Sequence, residues 1–197
     1  SASGAETLYK HIKGKSFKGK SFLICSTGLS DELLASWEAF SKESGAKVMV
    51  APNTSLGVLL TLRAALSIAQ VAKNEGFDFV LEETHHRYKK DAPSGTALRM
   101  GEVIAETLNR NLDEVAIYGR EGFGEERDDK TIGFATIRGG DIVGDHTVIF
   151  ASAGERVEIS HKASSRMTSA NGAVKAAARI VGKQSPALHT TDDGLGA

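Results

Sequence analysis

A predicted strand is linked to a predicted helix within residues 77–97, FDFVLEETHHRYKKDAPSGTA. The loop between them carries an unusual cluster of ionisable side chains, with two adjacent histidines and two adjacent lysines. FDFVLEET alternates apolar and polar side chains, as a strand does. After the loop, ALRMGEVIAETLNRNL (97–112) has helical periodicity. Pro93 suits the start of a helix, and Ser94, Gly95 and Thr96 suit its first exposed amides.

Elsewhere, helical and strand patterns alternate. Helices are predicted over 4–13, 30–44, 56–76 (ending at Gly76) and 172–183, with strands at 22–27 and 47–52. The order strand 22–27, helix, strand 47–52 indicates parallel pairing through a crossover helix. After residue 114, period-two alternation with glycines at the corners predicts an antiparallel meander. Residues 192–197, rich in glycine, are expected to fray.

Composition narrows the class of protein. The 197 residues are 41% hydrophobic, enough for a sizeable core, in one domain or two small ones. The net charge of −1 produces no overall positive potential that would attract nucleic acid or acidic membranes. The apolar runs are too short for a membrane span, and we expect no signal peptide. The single cysteine, Cys25, fits a reducing compartment, so we expect the cytoplasm.

Residues 14–21, GKSFKGKS, match the phosphate-binding pattern G-x-x-x-x-G-K-[ST]. That motif needs a strand before it and a helix after it, so that backbone amides and the helix dipole face the phosphates. Here a helix precedes and a strand follows, which predicts a solvated basic loop. The sequence also has no G-x-G-x-x-G after a strand, so the usual dinucleotide fingerprint is absent.

The loop at 85–96 has three interpretations. Open amides at the start of a helix bind anions, and Gly95 allows close approach, so a site for a small anionic ligand is one of them. His86 and Lys89 add positive charge there, and His85 has a titration range suited to proton transfer. Alternatively, the paired histidines and the Lys-Lys-Asp run are solvated surface residues. A metal site is the third interpretation, although no cysteine or close third ligand accompanies the histidines.

EETHHRYKKDAPSGTA (82–97) strongly resembles the signature of the 4-hydroxy-tetrahydrodipicolinate (dihydrodipicolinate) reductase family. The resemblance extends in order to further segments: STG (26–28), APN-x-S (51–55), YGREG (118–122), TIGFATIRGGDIVGDHTVIF (131–150) and GERVEISHKASSRMTSANGAVKAA (154–177). It implies reduction of 4-hydroxy-tetrahydrodipicolinate to tetrahydrodipicolinate with NADPH or NADH, in lysine and diaminopimelate biosynthesis. Such an oxidoreductase binds a cyclic dicarboxylate and is a homotetramer.

The resemblance also implies an α/β fold in two parts. Residues 1–53 and 165–197 resemble part of a Rossmann-type cofactor domain. Residues 54–164 resemble an α+β substrate-binding and tetramerisation domain with a mixed, mainly antiparallel sheet. The family's Gly-rich pyrophosphate-binding segment has no counterpart here, so we expect a fragment. An alternative is therefore a non-catalytic substrate-binding and oligomerisation module. In the family, the residues that distinguish NADPH from NADH also lie in the part that has no counterpart here.

Residue roles follow from the resemblance, position by position. It implies that His85 and Lys89 are the proton donors. It implies substrate contacts by His86, Ser94, Gly95, Thr96 and Thr27. It implies cofactor contacts by Cys25, Ser26, Thr27, Ala51, Pro52, Asn53 and Thr54. Cys25, Ser26 and Thr54 depart from the residues common in the family at those places, which bears on cofactor preference more than on the reaction.

Overall fold

The computed structural model describes residues 2–183 and 187–191. The helices are α1 (Ala2–Ile12), α2 (Asp31–Ser44), α3 (Leu56–Ala72), α4 (Gly95–Thr107), α5 (Leu112–Val115) and α6 (Met167–Gly182). The strands are β1 (Ser21–Ile24), β2 (Lys47–Val50), β3 (Asp78–His85), β4 (Ala116–Tyr118), β5 (Ile132–Arg138), β6 (Asp145–Ser152), β7 (Glu155–Lys162) and β8 (Leu188–His189). They form two compact units: the chain up to Leu59 together with the chain from Met167 onward, and Leu60–Arg166.

The first unit is built on a small parallel sheet in the order β1–β2–β8, so the predicted parallel pairing of the first two strands is confirmed. Helix α2 is the crossover between β1 and β2. The Ser30 hydroxyl accepts a hydrogen bond from the Leu33 amide at 3.3 Å, and Gly45 ends the helix at φ 71°. Trp37 and Phe40 of α2 are almost fully buried in an aromatic core with Tyr9, Phe17 and Phe22.

The segment GKSFKGKS lies between α1 and β1, so helix, loop and strand follow one another as the sequence predicts. Backbone bonds from Phe17 to the Ser44 carbonyl and from Lys20 to the Phe17 carbonyl hold the loop. No helix begins at its glycines, and they therefore offer no helical amides to a phosphate.

The second unit is a five-stranded mixed sheet in the order β4–β5–β3–β6–β7, so the mixed sheet predicted from the family is confirmed. The predicted antiparallel meander after residue 114 is wrong in its first part. Strands β4 and β5 pair in parallel, and β5 pairs in parallel with β3, which lies between β5 and β6. Only β6 and β7, joined by a tight turn at Gly154, form an antiparallel hairpin within that segment.

One face of this sheet carries the core of the unit. Along β3, burial alternates strictly, with Phe79 and Leu81 buried and packed on the same face as Phe150 of β6. Helix α4 covers that face, and its Gly101 lies so close to Phe134 that a Cβ there would be 2.5 Å from the ring. The absence of a side chain at residue 101 therefore sets how closely the helix approaches the sheet.

Three predicted helix boundaries are wrong. Helix α3 ends at Ala72, and Gly76, at φ 72°, closes a separate turn rather than the helix itself. The run 97–112 is two helices, because the chain reverses at Asn109, whose φ is 55°. Helix α6 begins five residues earlier than predicted, at Met167. The expected fraying of 192–197 lies outside the described residues.

Within residues 2–183 and 187–191, no helix is long and apolar enough to cross a membrane.

Candidate functional site

The core-facing row of β3 changes from apolar to ionisable along its length. Phe79 and Leu81 are followed on the same face by Glu83 and His85, which are 1% and 9% exposed. The neighbouring strands supply polar side chains at the same level, with Thr136 opposite Glu83 on one side and His146 on the other. The carboxyl end of the central strand is therefore a buried polar cluster directly continuous with the hydrophobic core.

Glu83 is the centre of this cluster. Its carboxylate accepts hydrogen bonds from His85 Nδ1 at 2.5 Å, the Ser94 amide at 3.1 Å and the Thr136 hydroxyl at 3.2 Å. Arg138 donates two more, at 2.7 and 2.9 Å. Burial raises the pKa of Glu83, but these hydrogen bonds and the charges of His85 and Arg138 outweigh it and leave the pKa below its usual value. Glu83 is therefore ionised at neutral pH.

His85, the predicted proton donor, lies at the end of β3 with its ring almost enclosed. Burial lowers the pKa of His85, while the hydrogen bond and the charge of Glu83 oppose that effect. The ring of His146 packs edge-on against that of His85, with centroids 5.1 Å apart. This environment, unlike that of a solvated surface histidine, both orients the imidazole and tunes its proton affinity.

Lys89 and His86 lie in the loop between β3 and α4. The Lys89 ammonium contacts both carboxylate oxygens of Asp91, at 2.9 and 2.8 Å, and this bond lowers the pKa of Asp91. His86 is half-buried, and its Nδ1 has no hydrogen-bond partner within the described part of the chain. The guanidinium of Arg138 also bonds the Asp91 carbonyl, at 2.6 Å, so the loop is tied to the cluster around Glu83.

Ser94, Gly95 and Thr96 form the start of α4, in agreement with their predicted place at a helix terminus. Ser94 is the N-cap, and its hydroxyl accepts from the Ala97 amide at 3.2 Å. The same hydroxyl is 2.9 Å from Nε2 of His146, and the residue is only 2% exposed. Its side chain is thus bonded inside the protein, whereas Gly95 is exposed and Thr96 half-buried.

The residues predicted to contact a cofactor lie in the first unit, on two neighbouring loops. One follows β1 and the other follows β2, and an Ala51 amide bond to the Ile24 carbonyl (2.9 Å) joins them. Cys25, Thr27 and Pro52 are exposed, and Ser26 and Asn53 are half-buried. Ala51 and Thr54, by contrast, are buried, so their side chains are not available to contact a bound ligand.

Thr54 is bonded within the first unit. Its hydroxyl donates to the Ser169 carbonyl of α6 at 2.7 Å. A Cβ at Gly172 of the same helix would lie 1.6 Å from the Thr54 carbonyl oxygen, so the missing side chain permits this close packing. Thr54 therefore shapes the loop from beneath. Thr27, predicted for both ligands, belongs to the first unit, while the other predicted substrate contacts belong to the second.

The residues of the buried cluster that sequence reasoning missed are Glu83, Thr136, Arg138 and His146. Glu83 carried a usable signal, because residues two apart on a strand share a face and a carboxylate beside His85 would orient it. Arg138 and His146 carried none, because they reach the cluster only through strand pairing across more than fifty residues. Among residues 2–183 and 187–191, no group of three or more His, Cys, Asp or Glu is arranged to hold a metal ion.

The stability of the fold should depend on pH through His146. Burial and the nearby charge of His85 lower the pKa of His146 from 6.5 to about 4. Between these values the unfolded chain binds the extra proton, so stability is lost as the pH falls from about 6.5 towards 4, by about 2–3 kcal/mol. Urea unfolding of the full-length protein at several pH values measures this loss.

His146→Gln should flatten that pH dependence, and His11→Gln, at an exposed histidine of α1, is the matched control. An equally steep loss of stability in His146→Gln would show that other groups cause it.

The protein is therefore an α/β protein with a buried histidine–carboxylate pair at the end of a mixed sheet. The sequence matches the protein family described as dihydrodipicolinate reductase, C-terminus, over residues 57–195. This chain belongs to the dihydrodipicolinate reductase family.

Similar proteins agree with this assignment. The 4-hydroxy-tetrahydrodipicolinate reductase of Hahella chejuensis is 55% identical over 91% of this chain and 66% of its own length. That of Chromobacterium violaceum is 51% identical over 97% of this chain and 70% of its own length. The chain thus spans about two thirds of the length of these curated relatives.

A solved structure shows the same fold. The dipicolinate-bound dihydrodipicolinate reductase from Paenisporosarcina sp. TG-14 superposes with a TM-score of 0.66 at 20% identity, over 96% of this chain and 69% of that one.

Proposed function

We propose that the protein catalyses the NADPH- or NADH-dependent reduction of 4-hydroxy-tetrahydrodipicolinate to tetrahydrodipicolinate, a step of lysine and diaminopimelate biosynthesis. The observation that carries the proposal is the buried His85–Glu83 pair next to Lys89 and the start of α4. Such a pair can act as an acid–base group beside positive charge and the start of a helix. The site is complementary to a small dicarboxylate that must receive a proton.

Different residues of the chain bind the substrate and transfer protons to it. Gly95 and Thr96 offer helix-terminal amides, and Lys89 and His86 offer positive charge to the two carboxylates of the substrate. The substrate loses its ring hydroxyl as water to give a conjugated ring. Once a hydride has been added to that ring, His85, as imidazolium, donates a proton to the ring carbon next to the one that is reduced, and Lys89 is the second proton donor. Ser94 contributes through the helix cap rather than through a free hydroxyl, since that hydroxyl is bonded to His146.

The first unit has the features of a nicotinamide site. Its two loops lie at the carboxyl ends of parallel strands, where α/β sheets bind such ligands, and the exposed Thr27 and Pro52 lie on them. A nicotinamide cofactor, when bound, supplies the hydride. Cys25, Ser26 and Asn53 are the further contacts that we propose, with Ala51 and Thr54 shaping the loop from inside. Residues 1–53 and 165–197 are then the cofactor-binding part, and 54–164 the substrate-binding part.

An assay of the purified full-length protein tests the activity. Absorbance of NADPH and of NADH is followed with freshly made 4-hydroxy-tetrahydrodipicolinate. Oxidation of either cofactor that depends on this substrate, and that dipicolinate inhibits, is expected. Full occupancy by dipicolinate without any turnover would contradict the reductase assignment and favour a binding module.

We further propose that the protein is a homotetramer in the cytoplasm. On the face of the second unit's sheet opposite α4, Val80, Gly133 and Ala135 line a cavity of about 490 Å³ together with residues of the 119–131 loop. Ile137, on the same face, is 48% exposed. Burying this face between subunits would remove apolar area from water. Sedimentation equilibrium of the full-length protein tests this, and a monomer at micromolar concentration would contradict it.

A further inference from the structure

We propose that Glu83 is the positioning residue of His85, and that Gly144 completes the slot in which the ring is held. Glu83 fixes the proton of Nδ1, so Nε2 is the atom that exchanges a proton with substrate, and Gly144 keeps the space beside Nε2 free. This inference rests on the proposed function, because it assigns the atom through which His85 would act.

The hydrogen-bond partners of Glu83 fix which ring nitrogen of His85 carries the proton. Every other group that contacts its carboxylate can donate, and the guanidinium of Arg138 carries donors only. The carboxylate has no proton of its own to give. The contact with His85 is therefore a bond in which Nδ1–H donates, and in the neutral ring the lone pair lies on Nε2.

Gly144 limits the ring from the opposite side. A Cβ on this residue would lie 2.8 Å from Nε2 of His85 and 3.1 Å from Cδ2. The backbone there is held, because the Gly144 carbonyl accepts a bond from the Ala163 amide at 3.1 Å. The ring could make room for a methyl group only by giving up its bond to Glu83. The free space beside Nε2 and the hydrogen bond at Nδ1 therefore depend on the same position of the His85 ring.

His146 limits the remaining freedom of the ring without adding charge. It packs edge-on against His85 and is bonded to Ser94, whose amide in turn bonds Glu83. Because burial holds the pKa of His146 at about 4, this neighbour is neutral at pH 7 and does not repel a protonated His85.

The first test is Glu83→Gln in the full-length protein. Glutamine keeps the size of the side chain but removes the charge that stabilises protonated His85, and its amide group meets donors. We expect kcat to fall about 10²-fold, within the range of general acid catalysis, and dipicolinate affinity to change only a few-fold. The fall of kcat/KM with rising pH should begin at a lower pH, since Glu83 raises the pKa of His85. Glu102→Gln, at an exposed carboxylate of α4, is the control.

The second test does not disturb the buried carboxylate. Gly144→Ala should lower kcat at least about 10-fold by displacing the ring, and it should also lower the melting temperature, because the backbone there has φ +158° and the displaced ring loses its bond to Glu83. Gly154→Ala, at a glycine that also has a positive φ but where an added Cβ meets nothing within 4 Å, is the matched control for backbone strain. If Glu83→Gln fails to fold, this pair of variants decides the question.

His85→Gln separates the two proposals. An inactive His85→Gln together with wild-type kcat and pH profile in both Glu83→Gln and Gly144→Ala would overturn the positioning role alone. Wild-type kcat in His85→Gln would instead remove His85 from the proposed reaction. Loss of kcat in both positioning variants, with substrate affinity kept and both controls active, is the expected result.

Discussion

His85→Gln should lower kcat by about two to four orders of magnitude in the full-length protein, the usual contribution of a general acid. Glutamine retains a hydrogen-bonding amide near Glu83 but has no titratable proton to deliver. The loops that we propose to contact the cofactor lie in the first unit, whereas His85 lies in the second, so cofactor affinity should remain. Steady-state kinetics and calorimetric titration with NADPH measure the two effects separately.

The pH dependence of kcat/KM in the wild-type protein tests the same role of His85. In the proposed mechanism His85 acts as the protonated acid, so kcat/KM should fall as the pH rises through its pKa, which burial holds below the usual value. His85→Gln should lose that limb of the profile together with its activity. A variant with the wild-type kcat and the same profile would exclude His85 from the chemistry.

Lys89→Ala should have the next largest effect, lowering kcat/KM by about 10²–10³-fold through losses in both kcat and substrate binding. In the proposed mechanism the ammonium supplies charge and a proton to the substrate, and its removal also leaves the Asp91 carboxylate without the partner it has at 2.8 Å. That uncompensated negative charge would repel a dicarboxylate. Lys90→Ala, at the exposed neighbouring lysine, is the control and should behave as wild type.

Thr96→Val provides a second comparison for the anion site. It removes a hydroxyl at the start of α4 without changing the charge, so we expect KM to rise with little change in kcat. An unchanged KM in both Lys89→Ala and Thr96→Val would show that the helix terminus does not bind the substrate.

Sequence alone could predict the parts of the fold that local patterns encode. The β1–α2–β2 crossover and the start of α4 depend on periodicity and on the caps Ser30 and Ser94, all of which are local signals. Strand order is not local. The insertion of β3 between β5 and β6 joins segments far apart in the chain, and a meander of sequential neighbours was the wrong expectation for that reason.

The candidate site divides in the same way. His85, Lys89 and the Ser94–Thr96 turn lie within one stretch of sequence, so their types and spacing indicate an acid–base and anion site. Arg138 pairs with Glu83 across 55 positions, and no local pattern indicates that contact. The buried hydroxyl of Ser94 was equally unpredictable, because a cap serine looks the same in sequence whether its other partner is water or His146.

In the proposed reaction this site protonates a substrate that receives a hydride from a nicotinamide cofactor. Mass spectrometry of the product, formed with NADPH carrying deuterium at the transferred position, detects that hydride. We predict one cofactor-derived deuterium on a ring carbon of the product, formed by the wild-type protein at least about 10²-fold faster than by His85→Gln. Product without that deuterium, or equal rates in the two proteins, would contradict the account.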